Sequence, residues 1–126
     1  MVAIQTMLSL AMAMVATAAP SLQSRGSINT NLVFFRIDDS SCDPGTQLSP
    51  TVSVFNPPLS AGQTYTTNTC YPYQAWGSVH VENLQAGCTF EEFSDSACAT
   101  PPVNSTSTPG SCVKGLGLDA FFLVQC

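Results

Sequence analysis

Six cysteines punctuate the chain at Cys42, Cys70, Cys88, Cys98, Cys112 and Cys126, and none lies before residue 42. What precedes them is an uncharged start with the apolar run Met7-Leu-Ser-Leu-Ala-Met-Ala-Met-Val15. That run is shorter than the ~20 apolar residues needed to span a bilayer. Ala16-Thr17-Ala18 follows it and matches a small-x-small cleavage site, so residues 1–18 read as a secretory signal peptide. An even number of cysteines in a short exported chain implies a disulfide framework. Zinc is the competing use of cysteine. It fails on spacing, because there is no Cys-x-x-Cys pair and His80 is the single histidine. No metal and no cofactor is expected.

Six cysteines admit many connectivities, and sequence does not select one. The preferred single pair is Cys88–Cys98, which closes a loop of about 11 residues and contributes ~3 kcal/mol in the chain-entropy model.

Removing the leader leaves about 108 residues, enough for one domain. Residues 19–30 are small and polar without hydrophobic periodicity and read as a flexible arm, which leaves residues 31–126 as a disulfide-rich β domain. Three basic residues face eight acidic ones, for a net charge of -5. That balance argues against nucleic acid, whose phosphates demand Lys and Arg, and against a cationic membrane-lytic peptide. No membrane insertion is expected, and the product is read as a monomer.

The strand signals are short and many. Ser78-Val-His-Val-Glu82 alternates, with Val79 and Val81 on one face and Ser78, His80 and Glu82 on the other. A turn at residues 83–87 leads to a return strand over residues 88–93, with a bulge or strand end between Phe90 and Phe93. Asn31-Leu-Val-Phe-Phe-Arg-Ile37 is nearly continuous, as in a strand buried on both faces. Thr51-Val-Ser-Val-Phe55 alternates, Gln63-Thr-Tyr-Thr-Thr67 reads as a polar edge strand, and Ala120-Phe-Phe-Leu-Val-Gln-Cys126 closes the chain as a last strand. Residues 99–111 are rich in Pro, Ser and Thr and read as a loop. The fold class is therefore all-β: a small disulfide-stapled sandwich or Greek key of about six short strands, with a small α+β sandwich as the alternative.

Tyr71, Tyr73 and Trp76 are the binding candidates, since aromatic planes near a loop stack on sugar rings or anchor a protein. Core packing beside a disulfide is the competing reading of Trp76. Asn104-Ser105-Thr106 is an N-glycosylation acceptor in the expected loop, and Asn68-Thr-Cys70 is a rarer acceptor form. Glu92 and Asp95, or either with Asp38, are the carboxylates that remain available as a glycosidase pair, because the adjacent Glu91 and Glu92 face opposite sides of a strand. A solvated edge is the plainer reading. Asp38, Asp39 and Asp43 cluster in one turn, where calcium competes with simple Asx-type hydrogen bonding. A serine hydrolase has a possible base in His80 but lacks Gly-x-Ser-x-Gly. No catalytic residue is assigned.

The run from Ser78 to Cys98, followed by Cys112 and a strand ending in Cys126, resembles small secreted cysteine-rich proteins of filamentous fungi. The likeness is one of layout over residues 70–126. It implies an extracellular setting and an effector-like or virulence-associated role, with a protein or glycan partner, often of a host. The Asp38-Asp39-Ser40-Ser41 turn resembles calcium-binding turns of βγ-crystallin-like domains but departs from them at Cys42. The expected function is non-enzymatic binding in the extracellular space. A carbohydrate-binding or wall-associated module and a small secreted hydrolase are the alternatives.

Overall fold

The computed structural model describes residues 27–48, 50–117 and 120–126. The expected signal peptide and the first part of the expected arm lie outside the described residues. The described residues form nine strands: β1 (Ile28–Phe35), β2 (Val52–Phe55), β3 (Tyr65–Thr66), β4 (Tyr71–Pro72), β5 (Trp76–Glu82), β6 (Thr89–Phe93), β7 (Asn104–Thr106), β8 (Ser111–Gly117) and β9 (Phe121–Gln125). The all-β expectation holds. No α-helix occurs among the described residues, only a 3-10 turn at Pro44–Thr46, so the α+β alternative falls. The three strands beyond the expected six are β4, β7 and β8. The first two are two and three residues long, too short for a period to register, and β8 carries two glycines and a lysine in place of a clear alternation.

Two sheets face each other. One has the order β3-β2-β1-β5-β8, the other β4-β9-β6-β7. Alternation decides which side chains meet between them. Leu32 and Phe34 of β1, Val54 of β2, and Trp76, Val79 and Val81 of β5 enter from the first sheet. Phe90 of β6 and Phe122 and Val124 of β9 enter from the second. Val33 and Phe35 are also buried, so β1 is covered on both faces as its continuous apolar run implies.

The expected ribbon of residues 78–93 is not a hairpin. β5 pairs with β1 and β8, whereas β6 pairs with β7 and β9 in the other sheet. The turn at residues 83–87 therefore crosses between layers. The expected arm is also shorter than read, because β1 begins at Ile28. Asn29 and Thr30 are fully buried despite their polarity. The Thr30 hydroxyl donates to the Glu82 carbonyl, and Asn29 Nδ2 donates to Gln85 Oε1 at 3.2 Å and lies 3.3 Å from Cys88 Sγ, while Asn29 Oδ1 has no partner among the described residues.

The bridges are Cys42–Cys112, Cys70–Cys98 and Cys88–Cys126. The preferred Cys88–Cys98 pair is thus overturned. Strand β6 separates those two residues, and five extended residues carry the chain roughly 15 Å. A disulfide tolerates Cα atoms no more than about 7 Å apart. Cys88 instead continues the antiparallel register of β6 on β9 (Thr89 opposite Gln125), which brings it to Cys126 with a Cα separation of 4.2 Å. The three bridges fit an oxidising compartment. No helix among the described residues is long and apolar enough to cross a membrane.

Candidate binding site

The segment from Tyr71 to Trp76 runs from the edge strand β4 of the second sheet to the interior strand β5 of the first, and its aromatic residues meet different fates. Trp76 is fully buried, wedged edge-on against Phe34 at 4.9 Å. It cannot stack on a ligand, and the expectation that it contributes to a binding surface is corrected to core packing. Tyr71 is half-buried, packs edge-on against Tyr65 at 5.0 Å, and its hydroxyl accepts the Thr66 N–H at 2.9 Å. Tyr73 stacks on Phe34 with centroids 4.2 Å apart and remains partly exposed.

Tyr73 helps to line a shallow groove of about 360 Å³ beside β2 and β3, together with Phe55, Tyr65, Thr51, Ser53 and Thr64. The groove exists because β3 pairs only with Val54 and Phe55, so the edge of β2 before Val54 stands clear of β3. Its lining combines aromatic rings with hydroxyl groups and includes no ionisable acid or base other than the tyrosine phenols. Burial, aided by the neighbouring Tyr73 and Tyr71, pushes the Tyr65 phenol above its ordinary value. It therefore stays neutral and able to donate a hydrogen bond. Tyr65 and Phe55 escaped the sequence reading. The alternation of residues 51–55 pointed to Phe55 as outward-facing, but nothing local indicated that Tyr65 would fold back beside it.

A second recess of about 270 Å³ lies over the outer face of the first sheet, where Val33, Phe35, His80 and Glu82 meet the loop carrying Cys42 and Pro44. His80 Nδ1 lies 3.4 Å from Glu82, and its Nε2 lies 3.2 Å from the Gly110 carbonyl. Both ring nitrogens thus have partners, and the Ser/His/Asp reading gains nothing from the geometry.

The acidic candidates do not converge. Glu92 is fully buried on β6, facing inward with Phe90, as period-two alternation requires. Its Oε1 accepts the Trp76 Nε1–H at 2.8 Å, and its Oε2 accepts an Asn104 Nδ2–H at 3.0 Å. Burial pushes its carboxyl up to about 7, with the two hydrogen bonds pulling the other way. Asp95 instead closes the turn after β6, accepting from the Ala99 N–H at 2.9 Å and from the Thr100 hydroxyl at 2.5 Å. One carboxyl is sealed in the core and the other is committed to a turn, so the glycosidase pair does not assemble.

Asp39 behaves like Asp95. Its carboxylate accepts from Ser41 N–H and Oγ–H at 2.9 Å each, from Asp43 N–H at 2.7 Å, and from the Thr46 hydroxyl. These donors, the Thr46 hydroxyl foremost, lower its carboxyl to about 2. Asp38 forms a bidentate pair with Arg36. No group of three or more His, Cys, Asp or Glu side chains with metal-binding geometry occurs among the described residues.

Asn104 was expected in an exposed loop. It opens strand β7 and is half-buried, with Nδ2 donating to the Lys114 carbonyl at 2.8 Å as well as to Glu92. Thr- and Ser-rich sequence reads as loop, yet here Asn104, Ser105 and Thr106 complete a sheet edge on β6.

No family model, curated protein or solved structure matches this chain.

Proposed function

We propose that the protein is an exported, non-enzymatic β domain that acts by binding a partner outside the cell, in the manner of fungal effector-like proteins. The observation that carries this reading is the groove beside β2, with Phe55, Tyr65 and Tyr73 set among the hydroxyls of Thr51, Ser53 and Thr64. Aromatic anchors flanked by neutral hydrogen-bonding groups form a recognition surface without the paired acid and base that hydrolysis requires. The three bridges support the extracellular setting, since they limit the unfolded state where proteases act. The leader-like start of the sequence supports export.

The test is expression from the native leader. The expected product is found in the medium, is cleaved near Ala18, and has no titratable thiol. Retention in the cell with six free thiols would discard the reading.

A carbohydrate-binding role is the second reading, favoured by the neutral, hydroxyl-rich lining of the same groove. Incubation with insoluble chitin, cellulose and glucan separates the two. Depletion of the wild type from solution, reversed by Phe55→Ala and by Tyr73→Ala, supports the glycan. A protein that stays in solution with all three is left to the protein-partner reading.

A further inference from the structure

Asn104-Ser105-Thr106 has the sequence of an N-glycosylation acceptor. Its amide nitrogen already uses both hydrogens, one toward Glu92 Oε2 at 3.0 Å and one toward the Lys114 carbonyl at 2.8 Å. It thereby ties β7 to both β6 and β8. An N-linked sugar replaces one of those hydrogens with a carbon. Either replacement breaks one bond and sets a sugar ring where a protein oxygen now lies. Losing the Glu92 bond is the costlier choice, because that carboxyl is fully buried and its other oxygen is occupied by Trp76. The Thr106 hydroxyl is engaged as well, donating to Ser111 Oγ at 3.0 Å. Asn68 shows the contrasting case. It is exposed, its Oδ1 accepts the Cys126 N–H at 2.9 Å, and its Nδ2 has no partner among the described residues.

We propose that Asn104 is an internal clamp of the sandwich, and that sugar attachment at its Nδ2 and native packing of β6, β7 and β8 are mutually exclusive. The acceptor is open only in the unfolded chain, so modification and folding compete for one side chain. In the cell this inference rests on the export reading, because only chains entering the secretory pathway meet the transferase. The experiment below does not depend on export.

A soluble N-glycosyltransferase acting from UDP-glucose suits the test. The amide nitrogen forms a bond to the sugar's anomeric carbon, the C–O bond to UDP breaks, and UDP and the amide proton leave. Protein with its three bridges intact is compared with reduced, unfolded protein, and occupancy is read by peptide mass. The expected result is occupancy at Asn104 more than about tenfold lower in the native form, since reaction there requires prior opening. Modified chains, oxidised afterwards, are expected to miss the native Trp76 emission and thermal midpoint. Three outcomes would overturn the proposal: modification of native protein at Asn104, modified chains that regain that emission and midpoint, or a reduced chain that is equally unreactive, which would place the closure in the local sequence rather than in the fold.

Discussion

The indole Nε1–H of Trp76 donates to the Glu92 carboxyl at 2.8 Å, and both residues are fully buried between the sheets. A carboxyl in that position titrates far from its value in the unfolded chain, and folding stability inherits the difference. Burial raises the Glu92 carboxyl from about 4.5 to about 7. Between those values the folded state holds a proton that the unfolded state has lost, so stability must fall as pH rises. The contribution is complete below about 4.5 and gone above about 7, with a span of about 3 kcal/mol. Asp39 acts in the opposite sense: its carboxyl is lowered from 3.8 to about 2, and the stability it contributes disappears as pH falls through that interval. The expected profile therefore peaks at mildly acidic pH. Urea unfolding followed by Trp76, the chain's one tryptophan, measures it. Glu92→Gln should flatten the descent between pH 4.5 and 7 while lowering stability at pH 5 by about 1 kcal/mol, because its amide presents N–H groups to Asn104 Nδ2. A slope unchanged in Glu92→Gln would refute the assignment.

Much of the sandwich was legible because its long strands carry their period openly. Val79 and Val81 alternate, residues 31–37 form an unbroken apolar run, and both features match their burial. The sheet assignment was not legible. A turn of five residues that joins two strands in one layer reads the same as one that crosses between layers, and only long-range pairing with β1 and β9 separates them. The disulfide pairing was legible only in part: a strand over residues 88–93 carries the chain away from Cys88, but the turn before Cys98 leaves enough length to return, and only the register of β6 on β9 selects Cys126. Of the aromatic candidates, Tyr73 lines the groove, and Trp76 follows the core-packing reading that stood beside the binding one. Glu92 illustrates the deeper limit. Its parity with Phe90 predicts an inward direction, but its charge argues for solvent, and the decision belongs to the partners Trp76 and Asn104, 16 and 12 residues away.

Disulfide mapping checks the topology directly. Proteolysis without reduction should yield peptides joining Cys42 to Cys112, Cys70 to Cys98 and Cys88 to Cys126. The Cys42–Cys112 bridge spans 70 residues, and the chain-entropy model gives a loop of that size about 4 kcal/mol. The double replacement Cys42→Ser/Cys112→Ser should lower unfolding free energy by roughly that amount in denaturant melts. A recovered Cys88–Cys98 peptide from native protein would contradict the placement of β6.

Gly115 lies on β8 where a Cβ would strike the Trp76 carbonyl and come within 2.6 Å of its indole ring. Backbone and a wedged core ring have no room to yield. Gly115→Ala should cost about 3 kcal/mol by overpacking and shift Trp76 emission. Gly62→Ala is the control, because no atom lies within 4 Å of its added methyl group and the cost comes only from the positive φ of 84°. That cost should be about 1 kcal/mol, with Trp76 emission unchanged.

Tyr71→Phe separates the wall of the groove from its contents. The Tyr71 hydroxyl accepts the Thr66 N–H at 2.9 Å, which holds β3, a two-residue strand on the edge of its sheet. Removing that acceptor should destabilise the fold by about 1 kcal/mol and accelerate hydrogen exchange at the Thr66 amide. Tyr65 shares β3 and lines the groove, whereas Tyr71 does not. A ligand held in the groove should therefore bind Tyr71→Phe more weakly through lost order in β3, and Phe55→Ala more weakly through lost contact. Exchange at Thr66 distinguishes the two, since only Tyr71→Phe removes the acceptor of that N–H. Unchanged exchange in Tyr71→Phe would mean that Tyr65 is positioned by packing against Tyr71 and Phe122 alone, without help from the hydroxyl.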